Sequence, residues 1–255
     1  MNKISFTIAL DLLKNKAILI FGFILAFLGW GMFLLESQPE KTILALLQVT
    51  LIILPLVTGV FATVYYYNSR EFIHLLLIQP IRRSIVIRGI FIGLAGGFVF
   101  SFLVGIGLPL LLFYPTLASL YLIIAGLLLC IIFTGIALLV STHQQDKARS
   151  MGIILLFWVF FTFVYEGIQL LIMYQLAEYP IEQPMLWSVF FNPVSIARIL
   201  VVMQTEAAAL LGLSGAIFQD FFGSLKGSLI AIGVMLVWAV VPYFLSRFKF
   251  IKRDF

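Results

Sequence analysis

Apolar residues in this chain come in long runs, and the charged residues fall almost entirely between them. Six runs reach the length of about 20 residues that a helix needs to cross the hydrocarbon core of a bilayer. They cover residues 17–35, 43–66, 85–113, 117–140, 151–174 and 227–246. The pattern predicts an all-α, polytopic integral membrane protein with six transmembrane helices in one domain over residues 1–255. The second run contains Pro55 and Gly59, and the third contains Gly93, Gly96, Gly97, Gly105 and Gly107. Breakers are tolerated in membrane helices because neighbouring helices satisfy the freed backbone groups. Small residues also let helices approach closely; lining a substrate path is the other role open to these glycines. The first run is too long for a signal peptide, and "GWGMFLLESQ" is a poor cleavage site.

Composition sharpens this picture. Hydrophobic residues make up 63% of the chain and charged residues 11%, against about 25% charged in soluble domains. The single cysteine, Cys130, lies in an apolar run. It excludes a disulfide framework and a cysteine metal site. The pI of 9.4 reads as lysine and arginine kept on the cytoplasmic side, so no nucleic-acid partner is expected. With the N-terminus inside, the cytoplasmic segments hold Lys3, Lys14, Lys16, Arg70, Arg82, Arg83, Arg88, Lys147, Arg149, Arg247, Lys249, Lys252 and Arg253. That is 13 of the 16 basic residues, leaving Lys41, Arg198 and Lys226 outside. Acidic residues lean outward, at Glu36, Glu40, Glu178, Glu182, Glu206 and Asp220. Both termini are expected in the cytoplasm.

The segments between spans carry further signals. Residues 1–16 place Ile4, Ile8 and Leu12 on one face, with Lys3, Asp11, Lys14 and Lys16 as polar positions. They read as an amphipathic interfacial helix, or as an extension of the first span. The loop "STHQQDKARS" is a connection in which Ser141, Thr142 and Asp146 offer helix caps. Residues 175–226 form a small helical external cap. Asn192 or Ser195 can start a helix over 196–202, and "TEAAALLG" is a second helix candidate ending at Gly212. Trp187, Phe190, Phe191, Phe221 and Phe222 make this cap aromatic. They are interfacial anchors, or part of a docking face with Asn192, Pro193 and Arg198.

The stretch "NSREFIHLLLIQPIRRS", residues 68–84, is too charged for a span and too apolar for a solvated loop. Asn68 with Glu71 three positions on resembles a capping box. A helix over 69–78 should stop before Pro80, because the residue preceding a proline is pushed out of helical geometry. A short helix of this kind, joined to two spans, fits a cleft on a cytoplasmic protein. It can pass that protein's motion into the membrane.

"SREFIHLLLIQPIRRSIVIRGIFIG" resembles the link between the second and third spans of ABC-2-type exporter permeases, where an acidic helix leads to a leucine run, a proline, arginine and the next span. "DKARSMGIILLFWVFF", "FFNPVSIARILVV" and "FKFIKRDF" resemble the NosY branch of that family, the permeases of nitrous-oxide-reductase maturation transporters. The likeness runs over nearly the whole chain through loose motifs. Glu71-Phe72-Ile73 stands where the family usually has Glu-Gly-Thr. The resemblance implies an inner-membrane permease, paired with a second copy or a relative above two cytoplasmic ABC ATPase subunits that bind ATP and Mg. It implies ATPase coupling through Asn68, Arg70, Glu71, His74, Gln79, Pro80, Arg82 and Arg83. For the NosY branch it further implies copper or sulfur species as cargo and a periplasmic accessory protein on the cap.

Catalytic chemistry finds little footing. No phosphate-cradling G-x-x-x-x-G-K-[ST] stretch is present, and "GSLKGS" lacks its spacing. An ATPase site of that type, and with it a cofactor of the chain's own, is not expected. Glu71 and His74 form an E-x-x-H pair on one helix face, but a metal site needs more ligands. Met32, Met151, Met173, Met203 and Met235 are scattered along the chain, with no visible copper relay. Glu166, near Gln169, is the acid within a span. Intramembrane charge is costly and marks a functional candidate; the alternative is a hydrogen bond to a neighbouring helix. A membrane hydrolase would need a partner for Glu166, and a passive scaffold would share the topology without ATP dependence.

Overall fold

A computed structural model describes residues 16–79, 81–176, 179, 182–206, 208 and 218–252. The expected interfacial helix before residue 16, most of the "TEAAALLG" helix candidate, and Pro80 lie outside these residues. Every regular element described is a helix. In chain order they are α1 (Lys16–Leu35), α2 (Pro39–Asn68), α3 (Arg70–Ile78), α4 (Arg83–Phe102), α5 (Leu108–Phe113), α6 (Leu117–His143), α7 (Lys147–Val159), α8 (Tyr165–Gln175), α9 (Glu182–Val189), α10 (Pro193–Val202) and α11 (Leu225–Lys252). Two π-helical turns, Leu103–Gly107 and Phe160–Val164, join α4 to α5 and α7 to α8. Among the described residues six helical stretches are therefore long and apolar enough to span a membrane, which makes the chain a multi-pass helical membrane protein.

The ends of these helices follow from local sequence. Pro39 opens α2 at a position where its missing N–H costs nothing. The Thr116 hydroxyl accepts from the Ser119 N–H at 3.2 Å and starts α6. The Asp146 carboxylate accepts from the N–H groups of Ala148 and Arg149 at 3.4 and 3.0 Å and starts α7. Around Pro55 in α2, the hydroxyl of Thr58 donates to the Leu54 carbonyl at 2.6 Å. The bond satisfies the buried Thr58 hydroxyl itself where lipid offers no water.

α6 is the axis of the bundle. Its most apolar window is 78% buried, against 22% for α1 and 17% for the α7–α8 span. It packs mainly against α11 and α2, with α4 and α10 on its remaining sides. Glycines set two of the close approaches. The ring of the fully buried Phe102 lies where a Cβ on Gly126 would stand. A Cβ on Gly29 of α1 would strike the carbonyl of Gly105 in the first π-turn, and one on Gly105 would meet Leu25 Cβ at 2.6 Å. The packing role expected for the glycines of the third span thus holds at Gly105. At Gly96 a Cβ would meet nothing within 4 Å.

Tertiary contacts sort the connections to two ends. At one end Lys147 Nζ donates to Asn68 Oδ1 at 3.0 Å. There the Tyr67 hydroxyl lies 2.6 Å from Ser150 Oγ, and Arg83 Nη1 donates to the Ile251 carbonyl at 3.1 Å. Most of the described lysines and arginines collect at this basic end. At the other end the Glu206 N–H donates to Glu40 Oε1 at 3.4 Å, and the Tyr114 hydroxyl to the Ser37 carbonyl at 3.4 Å.

Candidate functional site

The basic end carries α3, one residue shorter than the helix expected over 69–78. The capping box does not form. A capping residue needs extended backbone, and Asn68 is still helical as the last residue of α2. Its side chain turns to Lys147 instead. Ser69 alone breaks α2 from α3, and no side chain caps the new helix. Gln79, before Pro80, is extended at φ −74° and ψ 157° and ends α3, as sterics before a proline require.

α3 has two faces. Ile73 is buried against the bundle, with Leu76 and Leu77 partly buried beside it. Glu71, Phe72, His74, Leu75, Ile78 and Gln79 are exposed. Phe72, Leu75 and Ile78 recur every third residue and are 48, 62 and 82% exposed. Scattered exposed apolar residues are ordinary, but three on one nine-residue helix beside a glutamate form an apolar and charged contact face. Arg70 is half-buried. Its guanidinium lies over the Tyr67 ring at 4.4 Å and reaches the Gln144 carbonyl at 3.5 Å. Arg82 is exposed, and Arg83 is tied to the C-terminal end of α11. The expected coupling residues therefore divide. Asn68 and Arg83 tie the flanks of α3 to α7 and α11, and Arg70 lies on Tyr67 and the Gln144 carbonyl between α6 and α7. Glu71, His74, Gln79 and Arg82 are exposed.

The opposite end carries a polar ladder along the fifth span. α9 and α10 are bent by 114° at the Phe190–Asn192 turn, so they form a wedge instead of a straight seventh helix. Asn192, fully buried, starts α10 by accepting from the Val194 N–H at 2.9 Å. Its amide also donates to the carbonyl of Phe161 at 2.7 Å, inside the second π-turn. One turn on, the Tyr165 hydroxyl donates to the Ser188 carbonyl at 2.6 Å. Another turn on, Gln169 Nε2 donates to Ser188 Oγ at 2.7 Å. Between them Arg198 Nη2 meets Glu166 Oε2 at 2.7 Å. Residues 161, 165 and 169 share one helix face by their spacing of four, and the wedge docks along it.

Two groups of residues far apart in sequence therefore meet. The partner of Glu166 is Arg198, one of the basic residues expected outside. Of the four residues expected to face an external partner, Trp187 is broadly exposed, at 59%. Asn192 and Pro193 are buried and build the wedge, and Arg198 faces Glu166. The methionines also regroup. Met173, Met185 and Met203, from three elements, line one cavity of about 230 Å³ beside the Glu166–Arg198 pair. No sequence spacing announces this, because the three sulfurs converge only through the bend between α9 and α10. Among the described residues no group of three or more His, Cys, Asp or Glu side chains could hold a metal, so Glu71 and His74 gain no further ligand of those types.

No family model matches this chain, and no curated protein matches it.

Proposed function

We propose that the chain is the transmembrane permease subunit of an ABC-2-type ABC transporter, driven by a separate cytoplasmic ATPase that binds ATP and Mg. The observation that carries this reading is α3. It is a short helix between two spans, anchored on one face by Ile73 and bearing an exposed apolar and charged face on the other. Such a face suits a cleft on a soluble partner, since exposed apolar patches rimmed by polar residues mark interaction sites. α3 is not loosely hung. The Tyr67–Ser150, Asn68–Lys147 and Arg83–Ile251 contacts couple its flanks to α7 and α11. A push on α3 is thereby transmitted to several membrane helices together.

In this reading two copies, or one copy and a relative, pair in the inner membrane over two ATPase subunits. The basic end faces the cytoplasm, where lysine and arginine accumulate in membrane proteins. The likeness of "FFNPVSIARILVV" and its neighbours to the NosY branch names copper or sulfur species for nitrous oxide reductase as the cargo class, with a periplasmic accessory protein at the wedge. A lipid or drug exporter, or a motor for a gliding or secretion system, would use the same α3.

The test is affinity purification of the tagged chain in mild detergent, with bound proteins identified by mass spectrometry. Recovery of a cytoplasmic ATPase in near-equal amount, lost when Arg70 and Glu71 are both replaced by alanine, is the expected result. Absence of any ATPase from the wild-type preparation would sink the permease reading and favour a passive scaffold.

A further inference from the structure

The cavity beside the Glu166–Arg198 pair has a polar floor and apolar walls. Glu166, Gln169, Ser195 and Arg198 supply the floor, and Leu170, Met173, Met185, Val189, Ile199 and Met203 supply most of the walls. On three of these residues a buried atom has no hydrogen-bond partner among the described residues: Glu166 Oε1, Arg198 Nε and Ser195 Oγ. Ser195 is 3% exposed, so bulk solvent does not reach its hydroxyl. Buried polar atoms are almost always partnered in native proteins. Three orphans on residues lining one cavity therefore point to an occupant.

The chemistry of that occupant follows from what the floor leaves unspent. The two charges already neutralise each other at 2.7 Å, so the floor asks for no net charge. Glu166 Oε1 is a pure acceptor, Arg198 Nε is a pure donor, and the serine hydroxyl can act as either. A head carrying one donor and one acceptor on neighbouring atoms answers both. Water can satisfy polar atoms of the floor, but it gains nothing against the thioether and aliphatic walls, where an apolar group packs better. Leu170 lines the cavity and is 68% exposed on the flank of the fifth span, so the cavity opens on the apolar surface of the bundle.

We propose that this cavity binds a membrane-dissolved, uncharged amphiphile, its amide-like or hydroxyl head on Glu166, Arg198 and Ser195 and its hydrocarbon tail along Met173, Met185 and Met203. The proposal concerns the end of the bundle remote from α3. It does not depend on an ATPase partner, and its failure leaves the coupling reading untouched.

The methionine methyl groups are built-in reporters. The chain has seven methionines, and three of them line this cavity. The experiment is ¹³C-methyl-methionine NMR of the full chain in lipid nanodiscs, with signals assigned by single Met→Leu substitutions. Octanamide is the probe, and octane and octylammonium are the controls. The expected result is a saturable shift of the Met173, Met185 and Met203 signals with octanamide, while Met32 and Met235 stay still. Octane, which lacks the head, and octylammonium, which lacks the acceptor, should each bind at least about tenfold more weakly, the size of one lost buried hydrogen bond. Ser195→Ala should weaken octanamide binding by a similar factor, and Ile199→Phe, which fills the space without touching the floor, should abolish it. Each variant is first checked for a wild-type Met235 signal, which reports an intact bundle. Equal shifts at all methionines, octane binding as tightly as octanamide, or indifference to both substitutions would overturn the proposal. So would a response of the three methionines to Cu(I), a soft ion that thioethers favour, with none to octanamide.

Discussion

Asn192 illustrates how a single side chain decides a local structure here. A π-turn widens the helix by one residue and disturbs the regular ladder of backbone bonds. The carbonyl of Phe161, inside that turn, receives the Asn192 amide at 2.7 Å while the same side chain caps α10. Asn192→Ala removes the cap and leaves a buried carbonyl without its donor. The expected loss is about 2–3 kcal/mol, read as a lower midpoint in thermal unfolding in detergent. Asn192→Asp keeps the cap but sets a buried carboxylate oxygen against the Phe161 carbonyl, so it should cost at least as much. Glu166 and Arg198 behave as a unit. Removing either one strands the other in a largely apolar setting, at a cost of about 2 kcal/mol after allowance for the partial exposure of Arg198. The exchanged pair Glu166→Arg with Arg198→Glu should recover part of that loss in a double-mutant cycle. Strict additivity of the two single changes would show that the ion pair contributes nothing. Gly29 is constrained by space. Gly29→Ala places a methyl on the Gly105 carbonyl, so α1 must shift outward. A cost of about 1–3 kcal/mol is expected, whereas Gly96→Ala, with nothing within 4 Å, should be tolerated or mildly stabilising.

At the scale of the element, α3 separates stability from partner binding. Ile73 is 1% exposed and Leu75 is 62% exposed, although they are two residues apart. Ile73→Ala opens a cavity and should destabilise the chain by about 2–4 kcal/mol. Leu75→Ser with Ile78→Ser should change its stability by no more than about 0.5 kcal/mol, yet abolish recovery of the ATPase. Loss of stability in the second variant would mean that this face is covered within the chain. The wedge of α9 and α10 is the other element with a distinct task. Its contacts with the fifth span, through Phe161, Tyr165, Glu166 and Gln169, are polar. In an apolar setting, polar contacts fix register more sharply than aliphatic ones, because a slip leaves donors and acceptors unmet.

Across the whole molecule, charge is sorted by end. Hydrogen bonds join residues 67–68 to 144–150 and residue 83 to residue 251, so the basic segments lie together. The orientation can be read with single cysteines placed in a Cys130→Ala background. Lys147→Cys should react with a membrane-impermeant maleimide only after the cytoplasmic face is opened, and Gln38→Cys should react in intact cells. The reverse pattern would invert the topology and remove α3 from reach of any cytoplasmic ATPase. The spread of burial also bears on assembly. α1 and the α7–α8 span are the least buried helices of the bundle, and their outer faces are apolar from Phe23 and Phe27 to Leu170 and Leu171. Such faces are matched by the acyl chains of a bilayer.

The six spans were legible from the sequence because the constraint is one-dimensional. A helix in lipid must satisfy its own backbone and show an apolar surface for its full length, and a run of about 20 residues records that directly. The observed spans extend past the expected ones, as where α2 begins at Pro39 and α11 at Leu225. Polar residues at the ends of a helix lie beyond the apolar run that reveals it. The caps at Asp146 and Asn192 were equally readable, since a cap acts within three residues of its own chain. The capping box at Asn68 failed because helix α2 runs through that position, which no local motif records. The Glu166–Arg198 pair and the three methionines around one cavity join positions separated by 12 to 32 residues. Their meeting depends on the bend at Phe190–Asn192 and on the π-turn it grips. Contacts of that kind exist only once the helices have packed.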